Sequence, residues 1–165
     1  MSFVLGGARS GKSAYAERLV TALPPPWIYI ATARALDDEM TARIAAHRAS
    51  RSAGWQTLEE PESLTATLAS LPAGRPVLVD CLTLWLSNRL LACADLSRDA
   101  EALGAVLAAP RGPWVVVSNE VGLSIVPDNP LARRFRDAAG RLNQRVAACA
   151  HSVEFMVAGL PVRVK

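Results

Sequence analysis

Cysteine is scarce in this chain: three thiols, Cys81, Cys93 and Cys149, stand among 165 residues. They are odd in number and widely spaced, and no C-x-x-C pair occurs. Neither a disulfide framework nor a cysteine-ligated metal centre fits, and buried free thiols in a reducing compartment are expected. Excess charge is scarce too. Eighteen Lys and Arg against 15 Asp and Glu leave a net +3 with no basic block. That balance speaks against a nucleic-acid partner, while still helping to hold a polyphosphate. No apolar run is long enough to span a bilayer, and no charged segment followed by an apolar one opens the chain. A cytoplasmic enzyme is the expectation. Repeats, low-complexity tracts and linkers are also lacking. What is there, 51% hydrophobic and 20% charged residues, is the composition of a globular protein. The length suits one domain over residues 1–165.

One glycine-rich run organises the rest. Gly6-Gly7-Ala8-Arg9-Ser10-Gly11-Lys12-Ser13 matches the phosphate-cradling pattern G-x-x-x-x-G-K-[ST]. It follows the apolar run Ser2–Leu5, which reads as a buried strand, and precedes Ala14–Val20, which reads as a helix opening. Gly6 and Gly11 permit backbone that crowds a Cβ, so successive N–H groups can turn inward. The unpaired N–H groups at the helix start favour an anion. Lys12 can reach terminal phosphates, and the Ser13 hydroxyl can bind Mg²⁺.

Strands and helices alternate along the remainder. The first helix is expected over Lys12–Leu23, ended by Pro24-Pro25-Pro26. Trp27–Thr32 reads as a second strand. Asp37-Asp38-Glu39 suits a helix start, with Met40, Ile44 and His47 on one face. Trp55–Leu58 reads as a short strand, and Pro61-Glu62-Ser63 as the opening of a helix through Leu71. Pro76–Asp80 is a strand ending in a carboxylate, and Leu82–Cys93 an apolar helix. Ser97 is expected to cap a further helix through Ala109. Trp114–Ser118 is a buried strand, followed by the polar loop Asn119–Gly122. A long helix carries the stripe Leu131, Phe135, Ala138, Leu142 and Val146. Val153–Val157 and Pro161–Val164 close the chain as strands about a Gly159 turn. Continuous apolar strands alternating with helices predict an α/β fold, a mostly parallel sheet covered on both faces. Ligands then belong at the carboxyl ends of the strands. The glycine loop, Thr32, Asp80 and Asn119-Glu120 all follow strands directly.

Several side chains can carry chemistry there. Asp80 either holds a Mg²⁺ beside the phosphates or caps the helix at Leu82. His47 is either a satisfied histidine on an apolar face or a nucleophile. Arg43 and Arg51 flank it at helical spacing, with Arg48 and Arg9 adding positive charge. Such cations keep an imidazole neutral and hold a phosphate, which suits attack on phosphorus. Glu60 and Glu62 read as solvated surface. Asn119-Glu120 either positions a substrate hydroxyl or terminates its strand. Arg133, Arg134, Arg136, Arg141 and Arg145 read mostly as a solvated face, and His151 has no assigned role. A GTPase switch would place an N-K-x-D guanine reader where Asn119-Glu120-Val121-Gly122 stands. A small-molecule kinase needs the phosphate loop but not His47. A RecA-like nucleic-acid motor sits badly with the size and charge.

Together these residues resemble the bifunctional adenosylcobinamide kinase / adenosylcobinamide-phosphate guanylyltransferase family of cobalamin biosynthesis. The likeness rests on Gly6–Ser13, Tyr29–Ala33, Leu36–Arg48, Val79–Asn88, Ser118–Pro127, Ala132–Ala147 and the tail Ala158–Lys165. It implies a RecA-type P-loop NTPase fold assembling as a homotrimer. It also implies two reactions. ATP or GTP phosphorylates the aminopropanol hydroxyl of adenosylcobinamide. GMP then passes from GTP to that phosphate through a GMP–histidine intermediate, releasing pyrophosphate and giving adenosyl-GDP-cobinamide. The guanylylated histidine matches His47, which Ala46 precedes where some members carry a second histidine. By the same resemblance, nucleotide contacts fall on Gly6, Gly7, Ala8, Arg9, Ser10, Gly11, Lys12 and Ser13. Others fall on Ala31, Thr32, Ala33, Arg48, Ala49, Ser50, Arg51, Glu59 and Asp80. Lys12 and His47 would be the catalytic pair, with Mg²⁺ on Ser13 and Asp80.

Overall fold

The computed structural model describes residues 1–34, 38, 42 and 52–165. The helix expected about Met40, Ile44 and His47 lies outside these residues. The chain builds one seven-stranded sheet: β1 (Ser2–Gly6), β2 (Trp27–Ala31), β3 (Trp55–Glu59), β4 (Val77–Asp80), β5 (Trp114–Asn119), β6 (Ser152–Val157) and β7 (Leu160–Arg163). Their order is β3-β2-β4-β5-β1-β6-β7. All neighbours are parallel except β6 and β7, which form an antiparallel hairpin. Ala158 and Gly159 turn that hairpin with φ of 52° and 83°. Two successive positive φ values are what a two-residue hairpin turn with the sheet's own twist needs.

Apolar alternation explains the layers. Phe3, Ile28, Ile30, Val77, Val79, Trp114 and Val116 enter one core, and Val4, Tyr29, Leu78, Val115 and Val117 enter the other. A strand buried on both faces needs apolar residues at every position, hence the unbroken runs. The second core is covered by α1 (Lys12–Thr21) through Ala16 and Val20. On the opposite face lie α2 (Leu64–Ser70), α3 (Leu82–Leu91), α4 (Leu96–Ala108) and α5 (Pro130–Cys149). The expected α/β fold with helices on both faces is therefore present.

Local details differ from the sequence expectation where a side chain settles a helix end. The cap of α4 is Asp95, whose carboxylate accepts from the Ser97 and Arg98 N–H groups, and not Ser97. The helix after Pro61 starts later, at Leu64, and Glu60 governs the approach to it. Glu60 Oε1 accepts from the N–H groups of Glu62 (3.1 Å) and Ser63 (2.6 Å), and Oε2 accepts from the Thr67 hydroxyl (2.8 Å). Glu60 is thus a structural acceptor for orphan N–H groups, not solvated surface. Glu62 forms an ion pair with Arg34. In α5, Ala138, Leu142 and Val146 are buried, while Leu131 is half exposed. Cys93 is exposed, so only Cys81 meets the buried-thiol expectation fully, with Cys149 intermediate.

Candidate functional site

Register brings the site together. Gly6 of β1 pairs with Asn119 of β5, and Ala31 of β2 pairs with Asp80 of β4. The carboxyl ends of β2, β4, β5 and β1 therefore form one contiguous rim, with Glu59 at the end of neighbouring β3.

The glycine run occupies that rim between β1 and α1. Gly11 is the N-cap of α1 at φ 89°, and no side chain among the described residues caps the helix. Its first N–H groups are thus left to an incoming acceptor, as an anion site requires. Lys12 is buried, and its Nζ donates to the Gly7 carbonyl at 3.0 Å, curling over the loop. Ser13, in the first helical turn, is half buried. Neighbouring elements hold the loop. The Glu120 N–H donates to Gly6 O (3.1 Å), and the Gly159 N–H of the β6–β7 turn donates to Ser10 O (3.0 Å). A Cβ on Gly6 would come within 2.4 Å of Ser10 Oγ, and one on Gly11 within 3.1 Å of the Gly159 Cα. Close approach thus fixes Gly6, and close approach together with its positive φ fixes Gly11. Ser10 Oγ is buried and has no hydrogen-bond partner among the described residues.

Across the rim, Asp80 is half buried and its Oδ2 accepts from the Tyr29 hydroxyl at 2.7 Å. Thr32 staples the exits of β2 and β4. Its N–H donates to Asp80 O (3.2 Å), its hydroxyl donates to Cys81 O (2.7 Å) and accepts from the Cys81 N–H (2.9 Å). Asn88 Nδ2 in turn donates to Thr32 O at 2.8 Å. Thr32 is completely buried, so its hydroxyl is committed to this staple, while Ala31 and Ala33 beside it are half exposed. Burial, and then the Asp80 carboxylate, push the Cys81 thiol up to about 11, so it is a neutral packing group.

Between the two halves stands the end of β5. The Asn119 N–H donates to Thr83 Oγ1 (2.6 Å), and Asn143 Nδ2 donates to Asn119 O (3.2 Å). Thr83 Oγ1 also shares a hydrogen bond with Ser118 Oγ (3.2 Å). Buried polar side chains from α3 and α5 thus fix this strand end, which the sequence leaves looking like a simple terminus. Beyond it, Glu120 lines a cleft of about 660 Å³ with Gly7–Ser10, Leu123 and Phe155–Ala158.

Of the residues expected at the site, the phosphate loop, Ala31–Ala33 and Asp80 share the rim, with Glu59 exposed one strand further out. His47, Arg48, Ala49, Ser50 and Arg51 lie outside the described residues. Of the arginines on α5, Arg133 donates to the Pro127 and Asp128 carbonyls, Arg136 pairs with Asp137, and Arg134 is exposed. Sequence reasoning missed Tyr29 and Gly159. A tyrosine inside an apolar strand carries a hydroxyl that needs a partner, which was a usable signal. Gly159 carried no signal beyond its turn.

Comparison with known proteins agrees with this geometry. The model of the family described as cobinamide kinase / cobinamide phosphate guanyltransferase matches residues 2–164. A bifunctional adenosylcobalamin biosynthesis protein CobP from Pseudomonas aeruginosa is 54% identical over 98% of this chain and 95% of its own length. A bifunctional adenosylcobalamin biosynthesis protein CobU from Salmonella typhimurium is 44% identical over 100% and 99%, respectively. A solved protein of Pyrococcus horikoshii OT3 shares the fold, with TM-score 0.54 at 9% identity, covering 100% of this chain and 85% of that one.

Proposed function

The chain belongs to the cobinamide kinase / cobinamide phosphate guanyltransferase family, and from that premise we propose how one P-loop domain carries both reactions. It is a bifunctional enzyme of cobalamin biosynthesis that phosphorylates cobinamide and then guanylylates cobinamide phosphate. The observation that carries the site assignment is the uncapped start of α1, with buried Lys12, on the same rim as Asp80.

A triphosphate laid along Gly6–Ser13 meets the N–H groups at the start of α1 and the Lys12 ammonium. Charge that builds on the bridging oxygen as its bond to phosphorus breaks is stabilised by groups already in place. The donor set fits Mg²⁺. Asp80 uses Oδ2 toward Tyr29, which leaves its other oxygen for a cation, and the Ser13 hydroxyl stands at the first turn. Mg²⁺ takes one or two protein oxygens together with phosphates and water. Among the described residues no group of three or more His, Cys, Asp or Glu competes as an all-protein metal cage. When bound, the ion would neutralise phosphate charge.

For the second reaction His47 is the proposed nucleophile. Its imidazole attacks the α-phosphorus of GTP, the bond to the pyrophosphate oxygen breaks, and pyrophosphate leaves with that electron pair. The phosphate of cobinamide phosphate then displaces the imidazole. Two steps avoid gathering three anionic groups at once. Arg48–Arg51 and Glu59 complete the proposed GTP contacts. Supporting this reading are the likeness in sequence around His47 and the family match over the whole stretch. With α-labelled GTP, label should remain on the denatured protein in acid-labile, base-stable form. His47→Ala should lose it; a labelled His47→Ala protein refutes the assignment. A homotrimer in the cytoplasm is part of the same proposal, and sedimentation of the purified chain at three times 17.6 kDa would support it.

A further inference from the structure

The cleft beside the phosphate loop has no assigned occupant. Its floor is Gly7–Ser10, one wall is Glu120, Val121, Leu123 and Ser124, and the other is Phe155–Ala158 of the hairpin. We propose that this cleft receives the acceptor alcohol of the kinase step, and that the Glu120 carboxylate takes up its proton. The proposal rests on the kinase reading above.

Topology places the reacting phosphate near Glu120. Ser13 follows β1 and Asp80 ends β4, and β5 lies between those strands. A phosphate chain spanning the two therefore crosses the carboxyl end of β5, where Asn119 and Glu120 emerge. The Glu120 backbone is fixed there by its bond to Gly6 O at 3.1 Å. Its side chain is oriented by the Gly122 N–H, which donates to Oε1. Oε2 makes no hydrogen bond or ion pair among the described residues. A carboxylate beside a polyphosphate adds repulsion, so it is poorly suited to holding the donor. It is well suited to a hydroxyl that must lose a proton as it becomes bonded to phosphorus. In that step the acceptor oxygen forms a bond to the γ-phosphorus. The bond from γ-phosphorus to the β–γ bridging oxygen breaks, and its electron pair leaves on the nucleoside diphosphate. The hydroxyl proton passes to Glu120 Oε2 and later to water.

The walls suit the rest of the acceptor. Leu123 is 82% exposed and Val157 50%, and both line the cleft. Contiguous exposed apolar groups around a polar floor mark a binding surface. A large amphipathic ring such as a corrinoid can lie on them while its side-chain hydroxyl reaches Glu120.

The test is steady-state kinase kinetics with cobinamide and a nucleoside triphosphate, beside calorimetric binding of the nucleotide alone. Glu120→Gln is isosteric and should lower kcat about a hundredfold or more, with nucleotide affinity within about threefold of wild type. Leu123→Asp should raise the KM for cobinamide at least tenfold without changing the KM for nucleotide or the oligomeric state. A Glu120→Gln enzyme with kcat within threefold of wild type overturns the proposal. So does one that loses nucleotide binding, because Glu120 would then be a prop for the loop. Dissociation of the oligomer by Leu123→Asp would assign the surface to a second copy of the chain. A wild-type enzyme that binds nucleotide but leaves cobinamide unphosphorylated would defeat the kinase reading itself.

Discussion

Cys81 shows how one residue reports on the site without joining its chemistry. It follows Asp80 directly, is 4% exposed, and is held through both backbone groups by Thr32. Burial first, and the adjacent carboxylate second, raise its thiol from the ordinary 9.0 to about 11. The folded state therefore keeps a proton that the unfolded chain releases earlier. Its contribution to stability is complete below pH 9 and is lost as pH rises from 9 to 11. Urea unfolding at pH 8 and pH 11 should show a larger loss for wild type than for Cys81→Ala; equal losses would exclude the thiol as the titrating group. Iodoacetamide at pH 8 should modify exposed Cys93 in the native protein and spare Cys81 until it unfolds. Sequence counting could say that the thiols are unpaired. It could not rank them, because exposure depends on where the fold puts each one: Cys81 at the buried start of α3, Cys93 beyond its exposed end and Cys149 at the end of α5.

Among the elements, strands were legible and helix ends were not. β2, β4 and β5 are covered on both faces, so their apolar runs needed no periodicity to be read. The phosphate loop was legible because its chemistry is local: a glycine turn, a lysine and a helix start within eight residues. Helix starts depended on which nearby oxygen won. Asp95 caps α4 although Ser97 is an equally plausible letter, and Glu60, three residues before Ser63, serves the approach to α2. The rest of the site was hidden for a different reason. Thr83, Asn143 and Gly159 reach the rim from 24 to 149 positions away along the chain, as the bonds Asn119–Thr83, Asn143–Asn119 and Gly159–Ser10 show, and no local pattern encodes that. The cap assignment has a direct consequence. Asp95→Ala should destabilise the protein by about 1 kcal/mol, whereas Ser97→Ala should leave it within about 0.5 kcal/mol. Paired denaturant curves decide between them, and the reverse ranking would return the cap to Ser97.

At the scale of the whole molecule the phosphate loop is tied into the sheet on both sides. β5 holds it through Glu120 and Gly6, and the distant β6–β7 hairpin holds it through Gly159 and Ser10. A ligand that orders the loop should therefore stabilise the entire sheet. At a hundred times its Kd, a nucleotide that binds only the folded state adds about 2.7 kcal/mol. For a chain of this size that is a rise of roughly 5–10 °C in Tm, measurable by scanning fluorimetry with GTP. Lys12→Ala should lose most of the rise through direct contact. Gly159→Val tests the tie. Its φ of 83° is strained for a branched residue, although a Cβ there would meet nothing within 4 Å, so any effect must travel through the hairpin turn and its bond to Ser10. The variant should keep its fold and show at most half the wild-type GTP shift. A full shift in Gly159→Val would mean that the loop holds its shape without the bond from the hairpin turn, and that the pairing of β1 with β6 is enough to seat it.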